Sequence, residues 1–255
     1  MRIVIKIGTS SLTYETGRLN IRRMEAFVKV LSDLKNAGHE IILVSSGAIA
    51  MGVGKLGLPG RPDDVPGKQA AAAVGQCELM YTYDKLFTDY HHTVAQILLT
   101  SDDVKHEDRR MNFENTLNRL IEMQALPIIN ENDTVATQEI KVGDNDTLGA
   151  IVAASARADL YVLLSDIDGL FDKDPHRFPD AKRIPVVPKI TDEIRALSGD
   201  AGTLRGTGGM VTKLNAAKIA GDAGIETVIA NSADFGNLYR ILDGEDVGTR
   251  FLPGC

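Results

Sequence analysis

Cysteine, histidine and contiguous basic charge are all scarce in this chain. Its two cysteines, Cys77 and Cys255, make no disulfide framework of the kind that staples small secreted domains. No apolar run approaches the roughly 18 residues needed to span a bilayer. The opening stretch Met1–Lys6 is too short an apolar run for a signal peptide and reads as a strand. Without a secretion signal, the sequons at Asn132 and Asn145 carry no expectation of glycosylation, and the expected compartment is a reducing cytoplasm. Lys and Arg total 28 against 35 Asp and Glu, a formal net charge of −7, and the basic residues form no run. That balance gives no electrostatic footprint for nucleic acid or an anionic membrane. An anionic substrate must therefore be held by a local positive site. Low-complexity segments, repeats and Ser/Pro linkers are also missing.

What is present is ordinary for a soluble globular protein: 44% hydrophobic and 25% charged residues over 255 positions, enough for one large α/β domain or two small ones. Apolar runs of strand length alternate with segments of helical period. Strands are expected at Arg2–Ile7, His39–Ser45, Val94–Leu99, Leu126–Asn130, Leu160–Ser165 and Glu226–Ala230. Ile21, Met24, Phe27, Val28, Leu31 and Leu34 recur at helical spacing, with Gly38 placed to cap that helix. Further helices are expected over Lys68–Tyr90 and near Arg109–Gln124, Thr147–Ala156 and Thr212–Ala223, with Leu58–Pro66 and Asp172–Pro188 as surface loops or lids. The strands are rich in Val, Ile and Leu without polar alternation. Strands buried on both faces of a largely parallel sheet read this way, so the expected fold is α/β, a three-layer sandwich of helix, sheet and helix. Ligands of such folds bind at the carboxyl ends of the strands.

Five segments there carry chemistry-bearing residues. Lys6-Ile7-Gly8-Thr9-Ser10 ends an apolar strand with a lysine, a glycine and two hydroxyls. It is either a phosphate-binding turn or a strand-end lysine that snorkels to solvent. Ser45-Ser46-Gly47-Ala48-Ile49-Ala50 follows a strand and opens a helix, which suits an anion site or an ordinary serine cap. The polar stretch Glu131–Asp146 contains Asn132-Asp133-Thr134 and Lys141-Val142-Gly143-Asp144-Asn145-Asp146. A polar loop of that length inside a compact domain is usually functional, although a solvated turn has the same composition. Leu163-Leu164-Ser165-Asp166-Ile167-Asp168-Gly169 runs a buried strand into a polar turn. Gly206-Thr207-Gly208-Gly209-Met210-Val211-Thr212-Lys213 places glycines before a helix and a lysine in its first turn, as phosphate cradles do.

Three similar patterns fail. Gly52-Val53-Gly54-Lys55-Leu56-Gly57 matches a dinucleotide fingerprint but does not directly follow a strand, and a Pro-rich loop comes after it. This removes the case for a Rossmann oxidoreductase. The polar stretch is not an EF-hand, because glycine and glutamate are missing at its sixth and twelfth positions. The glycine cluster before Lys213 is not a Walker A motif.

Taken in order, the five segments resemble the amino acid kinase family across essentially the whole chain. The most specific parts are Ser46–Ala50, Ile129-Asn130-Glu131-Asn132-Asp133, Lys141–Asp146 and Gly206–Lys213. Thr9 stands where aspartate and N-acetylglutamate kinases usually carry a second glycine, so the pattern looks like the members that phosphorylate free glutamate and open proline synthesis. The resemblance implies a single kinase domain over 1–255. Its amino-acid-binding lobe would span about 1–155 and its nucleotide-binding lobe about 156–255, without the C-terminal PUA module of many members. It implies that Lys6 and Lys213 contact the phosphates and that Asp146 holds both lysines, with Asp144 as second choice. Ser46, Asp133, Asn145 and Asp144 would bind glutamate. Lys6, Ser165, Asp166, Thr207, Gly208, Gly209, Met210, Val211, Thr212 and Lys213 would form the nucleotide site, with Mg²⁺ held through the ATP phosphates. It further implies a homodimer or tetramer, proline as feedback inhibitor, and hand-over of the product to glutamate-5-semialdehyde dehydrogenase.

The chemistry is consistent with that set. A glutamate side chain with a pKa of ~4.3 is already a nucleophile at neutral pH, so no general base is needed and none of the histidines is assigned one. Repulsion between two anions is the obstacle, and fixed ammonium groups answer it. The alternatives are an aspartate, N-acetylglutamate or carbamate kinase, or a non-catalytic amino-acid sensor on the same fold. A sensor has no need of paired phosphate lysines.

Overall fold

The computed structural model describes residues 1–14, 16, 18–136, 144–175, 177–197 and 209–255. In chain order the elements are β1 (Arg2–Ile7), α1 (Thr9–Leu12), α2 (Ile21–Asn36), β2 (Glu40–Ser45), α3 (Ala48–Leu56), α4 (Val65–Thr88), β3 (Val94–Leu99), α5 (Ser101–Lys105), α6 (Glu107–Glu122) and β4 (Leu126–Glu131). They continue with α7 (Asn145–Ala156), β5 (Leu160–Ser165), β6 (Val186–Val187), α8 (Asp192–Ala196), α9 (Met210–Asp222), β7 (Glu226–Asn231), α10 (Asn237–Leu242) and β8 (Thr249–Phe251). The chain forms two compact units, Ile7–Asn145 and Met1–Lys6 with Asp146–Cys255. It passes from one to the other between Lys6 and Ile7 and again between Asn145 and Asp146.

In the Ile7–Asn145 unit the strands run β3-β4-β2, and all pairs are parallel, with Ile129 of β4 opposite Val44 of β2 and Ile97 of β3. Every residue of β4 is buried, as both-face coverage requires. The α2 helix starts where the Asn20 side chain accepts from the Arg23 amide, and it buries Met24, Phe27, Val28, Leu31 and Leu34. Past its end Gly38 takes φ +92°, the left-handed turn expected of it.

The α4 helix begins at Val65, earlier than the expected Lys68. The Asp64 carboxylate caps the Gly67 amide, and Pro66 in the first turn needs no partner for its nitrogen. The Pro-rich stretch thus ends inside a helix. The glycines of the rejected dinucleotide pattern lie within α3, and Gly57 closes that helix at φ +64°. Gly52 of this pattern and Gly75 of α4 let backbones touch. A Cβ on Gly52 would lie 1.8 Å from the Ala71 carbonyl oxygen, and one on Gly75 would lie 1.7 Å from that of Ala48.

In the other unit the order is β1-β5-β7-β8-β6. The β5·β7 and β6·β8 pairs are parallel, and β7·β8 is antiparallel. Every residue of β5 is buried, and α7 and α9 bury alanine- and glycine-rich faces. The result is an α/β fold with mostly parallel strand pairing. The antiparallel edge departs from a purely parallel sheet, and its strands of two and three residues show no hydrophobic period.

Replacing Gly75 by alanine should cost about 2–3 kcal/mol of stability, because the added methyl meets a backbone oxygen and no side chain can turn aside. Urea unfolding of Gly75→Ala beside the parent protein measures this, and an unchanged midpoint would contradict the close crossing.

Candidate active site

A lysine near the end of an apolar strand needs a neutralising partner if it is to stay inside. Lys6 is only 9% exposed, and its Nζ lies 2.6 Å from Asp146 Oδ1. Lys213, 6% exposed on α9, reaches Oδ2 of the same carboxylate at 3.1 Å. Asp146 is itself 1% exposed, in the first turn of α7, so one buried carboxylate bridges two buried ammonium groups. The snorkelling alternative for Lys6 is thereby excluded. Thr212 Oγ1 stands 2.9 Å from Asp146 Oδ2 and 2.8 Å from the Gly209 carbonyl, sharing its proton between them. Burial pushes the Asp146 carboxyl up, but the charges of Lys6 and Lys213 and the hydrogen bonds from Lys6 and Thr212 outweigh it, so the group titrates below the usual aspartate range.

The first turn carrying Asp146 is held from beneath by a residue that motif reading misses. The Tyr161 hydroxyl, fully buried on β5, donates to the Asp146 backbone carbonyl at 2.7 Å. The phenol fits there because position 149 is glycine; a Cβ at Gly149 would come within 2.3 Å of the hydroxyl. Tyr161 gave no signal in the sequence beyond a polar atom in an otherwise apolar strand.

The second cluster lies in the Ile7–Asn145 unit. The Asn145 side-chain amine donates to Ser46 Oγ at 2.7 Å and to Asn130 Oδ1 at 3.0 Å. Asn130, 2% exposed near the end of β4, donates to Gln76 Oε1 at 2.9 Å. Ser46 does not cap α3. The cap is Gly47 at φ +112°, and the Ser46 amide is held by the Ile7 carbonyl at 3.2 Å. Asp133 lies half-buried in the turn after β4, and Asp144 half-buried immediately before α7.

Ser165 ends β5 and Asp166 opens the bend after it, where the serine hydroxyl donates to the Asp166 carboxylate at 3.1 Å. Gly209 is the cap of α9, and Met210, Val211 and Thr212 form its first turn. Thr207 and Gly208, with Lys141, Val142 and Gly143, lie outside the described residues. Among the described residues no group of three or more His, Cys, Asp or Glu side chains is arranged to hold a metal ion, and no helix is long and apolar enough to cross a membrane.

Mostly parallel strands flanked by helices, with a buried lysine–carboxylate–lysine bridge joining Lys6 of β1 to residues of α7 and α9, are an arrangement found in phosphoryl-transfer proteins. The chain belongs to the amino acid kinase family, whose model matches residues 1–231. It is 55% identical over 253 residues to a protein of Carboxydothermus hydrogenoformans named glutamate 5-kinase, covering 99% of this chain and 68% of that protein. A glutamate 5-kinase of Clostridium perfringens is 50% identical, with 98% of this chain and 95% of that protein aligned. The fold is also that of a carbamate kinase from Giardia lamblia bound to AMP-PNP, at TM-score 0.70 and 16% identity over 98% of each chain. A T. acidophilum isopentenyl phosphate kinase in a product complex matches at TM-score 0.69 and 17% identity, over 98% of this chain and 100% of that one.

Asp146→Asn should lose about 3–5 kcal/mol, since two buried ammonium groups are then left facing each other. Because the folded carboxyl titrates below its unfolded value, the bridge contributes fully above the ordinary aspartate pKa and is lost as pH falls through the lowered one. The gap between parent and variant, read from urea unfolding at successive pH values, should therefore close in acid. A gap constant down to about pH 2 would contradict the assignment.

Proposed function

We propose that this chain transfers the γ-phosphoryl group of ATP to the side-chain carboxylate of L-glutamate, giving L-glutamyl 5-phosphate and ADP, the first step of proline biosynthesis. The observation that carries the reading is the Lys6–Asp146–Lys213 bridge, with Nζ–O distances of 2.6 and 3.1 Å, in a chain about half identical to proteins named glutamate 5-kinase. Transfer between two anions demands positive charge fixed in advance around the migrating group, and a water-poor site makes each such charge worth several kcal/mol. Asp146 keeps the two ammonium groups close despite their repulsion and fixes where their remaining hydrogens point. The acceptor carboxylate is ionised at neutral pH and attacks without a base.

In this reading Ser165, Asp166 and the Thr207–Lys213 segment receive the nucleotide, with Thr212 acting through Asp146. Mg²⁺ arrives on the ATP phosphates and neutralises their charge; both Asp146 oxygens are engaged by lysines, which fits a metal held by the nucleotide. Ser46, Asn145, Asp133 and Asp144 form the amino-acid subsite, where carboxylates suit a free α-ammonium that acetylation would remove. The expected division is an amino-acid lobe and a nucleotide lobe of one kinase domain, working in the cytoplasm as a dimer or tetramer. Proline would bind at the glutamate site as inhibitor, and glutamate-5-semialdehyde dehydrogenase would take up the readily hydrolysed acyl phosphate.

Incubation with ATP, Mg²⁺ and hydroxylamine should yield hydroxamate from glutamate in large excess over aspartate or N-acetylglutamate; equal yields would overturn the substrate assignment. Lys6→Ala and Lys213→Ala should each lower kcat by about 100- to 1,000-fold with little change in the glutamate KM. In the same assay Asp133→Ala and Asn145→Ala should chiefly raise the glutamate KM, by about ten-fold or more, and an unchanged KM removes them from the subsite.

A further inference from the structure

Buried amide groups are costly to leave mispaired, so a chain of them takes its direction from the partners that hold each one. Here the chain starts at Gln76 on α4, 8% exposed and next to the Gly75 crossing, and passes through Asn130, 2% exposed. Gln76 Oε1 accepts from Asn130 Nδ2 at 2.9 Å. Asn130 is held from both sides: its amine faces Gln76, and its Oδ1 accepts from the Glu131 amide at 2.9 Å and from Asn145 Nδ2 at 3.0 Å. The second hydrogen of the Asn145 amine goes to Ser46 Oγ at 2.7 Å, with the Ser45 carbonyl at 3.4 Å. Each step fixes the next. Because Asn145 spends its donors within the cluster, Oδ1 is what it offers a ligand. Because Ser46 Oγ accepts from Asn145, its own proton is available to donate outward.

We infer that Gln76 is a positioning residue for the amino-acid subsite. Its carbonyl oxygen, with the Glu131 amide on the other side of Asn130, holds the order of donors and acceptors in which Asn145 offers an acceptor for a ligand ammonium and Ser46 a donor for a ligand carboxylate. That order is complementary to an unmodified amino acid. It is the wrong order for a ligand whose nitrogen carries an acyl oxygen towards Asn145. The inference rests on the proposed function, since it names what orients the glutamate-binding groups. Gln76 touches no reacting atom in this scheme and acts only through Asn130 and Asn145.

The test is a comparison of Gln76→Met with Gln76→Glu in the hydroxamate assay. Methionine fills a similar volume with only a weak acceptor, which leaves the Asn130 amine mispaired and Asn130 held through its Oδ1 alone. Glutamate keeps an acceptor facing Asn130. Gln76→Met should raise the glutamate KM about ten-fold, with kcat and the ATP KM within about two-fold of the parent. Gln76→Glu should stay within about three-fold in all three. A residue that merely fills space would move glutamate and ATP parameters together, or move both variants alike. An unchanged glutamate KM in Gln76→Met, or the same rise in both variants, overturns the inference. Should Gln76→Met not fold, Gln76→Glu carries the test alone: retention of the glutamate KM supports the acceptor role, and a ten-fold rise overturns it. If the parent protein makes no hydroxamate from glutamate, the proposed function has failed. If it does and the Gln76 pair shows no split, only this inference has.

Discussion

A single carboxylate stands between two ammonium groups that would otherwise repel each other in a buried site, and much of this structure serves that arrangement. Lys6 stays inside because Asp146 is there, and Lys213 is drawn to the opposite oxygen of the same group. Asp146 in turn depends on its helix. Thr212 steadies the side chain, the Tyr161 hydroxyl steadies the backbone carbonyl, and Gly149 leaves room for that hydroxyl. The cost of desolvating three charges is offset only if all three persist, so loss of one exposes the others. Such an arrangement is poorly explained as a device for stability, because an apolar trio would pack at lower cost. It is well explained as charge stored in position for an incoming anion.

The second cluster works on different terms. Its members are neutral amides and a hydroxyl, and what it stores is orientation: Gln76, Asn130, Asn145 and Ser46 form one series in which the donors of each amide face the acceptors of its neighbours. Charge gathers phosphate without much regard to shape, whereas ordered donors and acceptors distinguish one small polar molecule from another.

The residues that touch charge were legible in the sequence, because lysines and aspartates next to glycines and strand ends are uncommon enough to notice. Lys6 at a strand end and Lys213 after a glycine cluster are visible in this way, although Lys6 alone reads equally well as a snorkelling lysine, and Asp146 is picked out only through the resemblance to the amino acid kinase family. Their mutual contact does not follow from spacing, since it depends on three distant segments meeting. Gln76 and Tyr161 were silent for a different reason. Gln76 lies in an alanine-rich helix and Tyr161 in a fully buried strand, where a single polar atom leaves the period untouched. The long strands and helices were visible through their periodicity, while β6 and β8 are too short to have one. The start of α4 was hidden by Pro66, which reads as a breaker until Asp64 is seen to cap the turn.

The glycine crossing of α3 and α4 reaches further than packing. Gly75 adjoins Gln76, and Ala48, whose carbonyl it meets, lies just past Ser46 and Gly47. The separation between these two parts of the subsite is consequently gauged by main chain against main chain, with no rotamers in between to breathe. A gauge of that kind changes little on warming, because main-chain contacts have no alternative rotamers to populate.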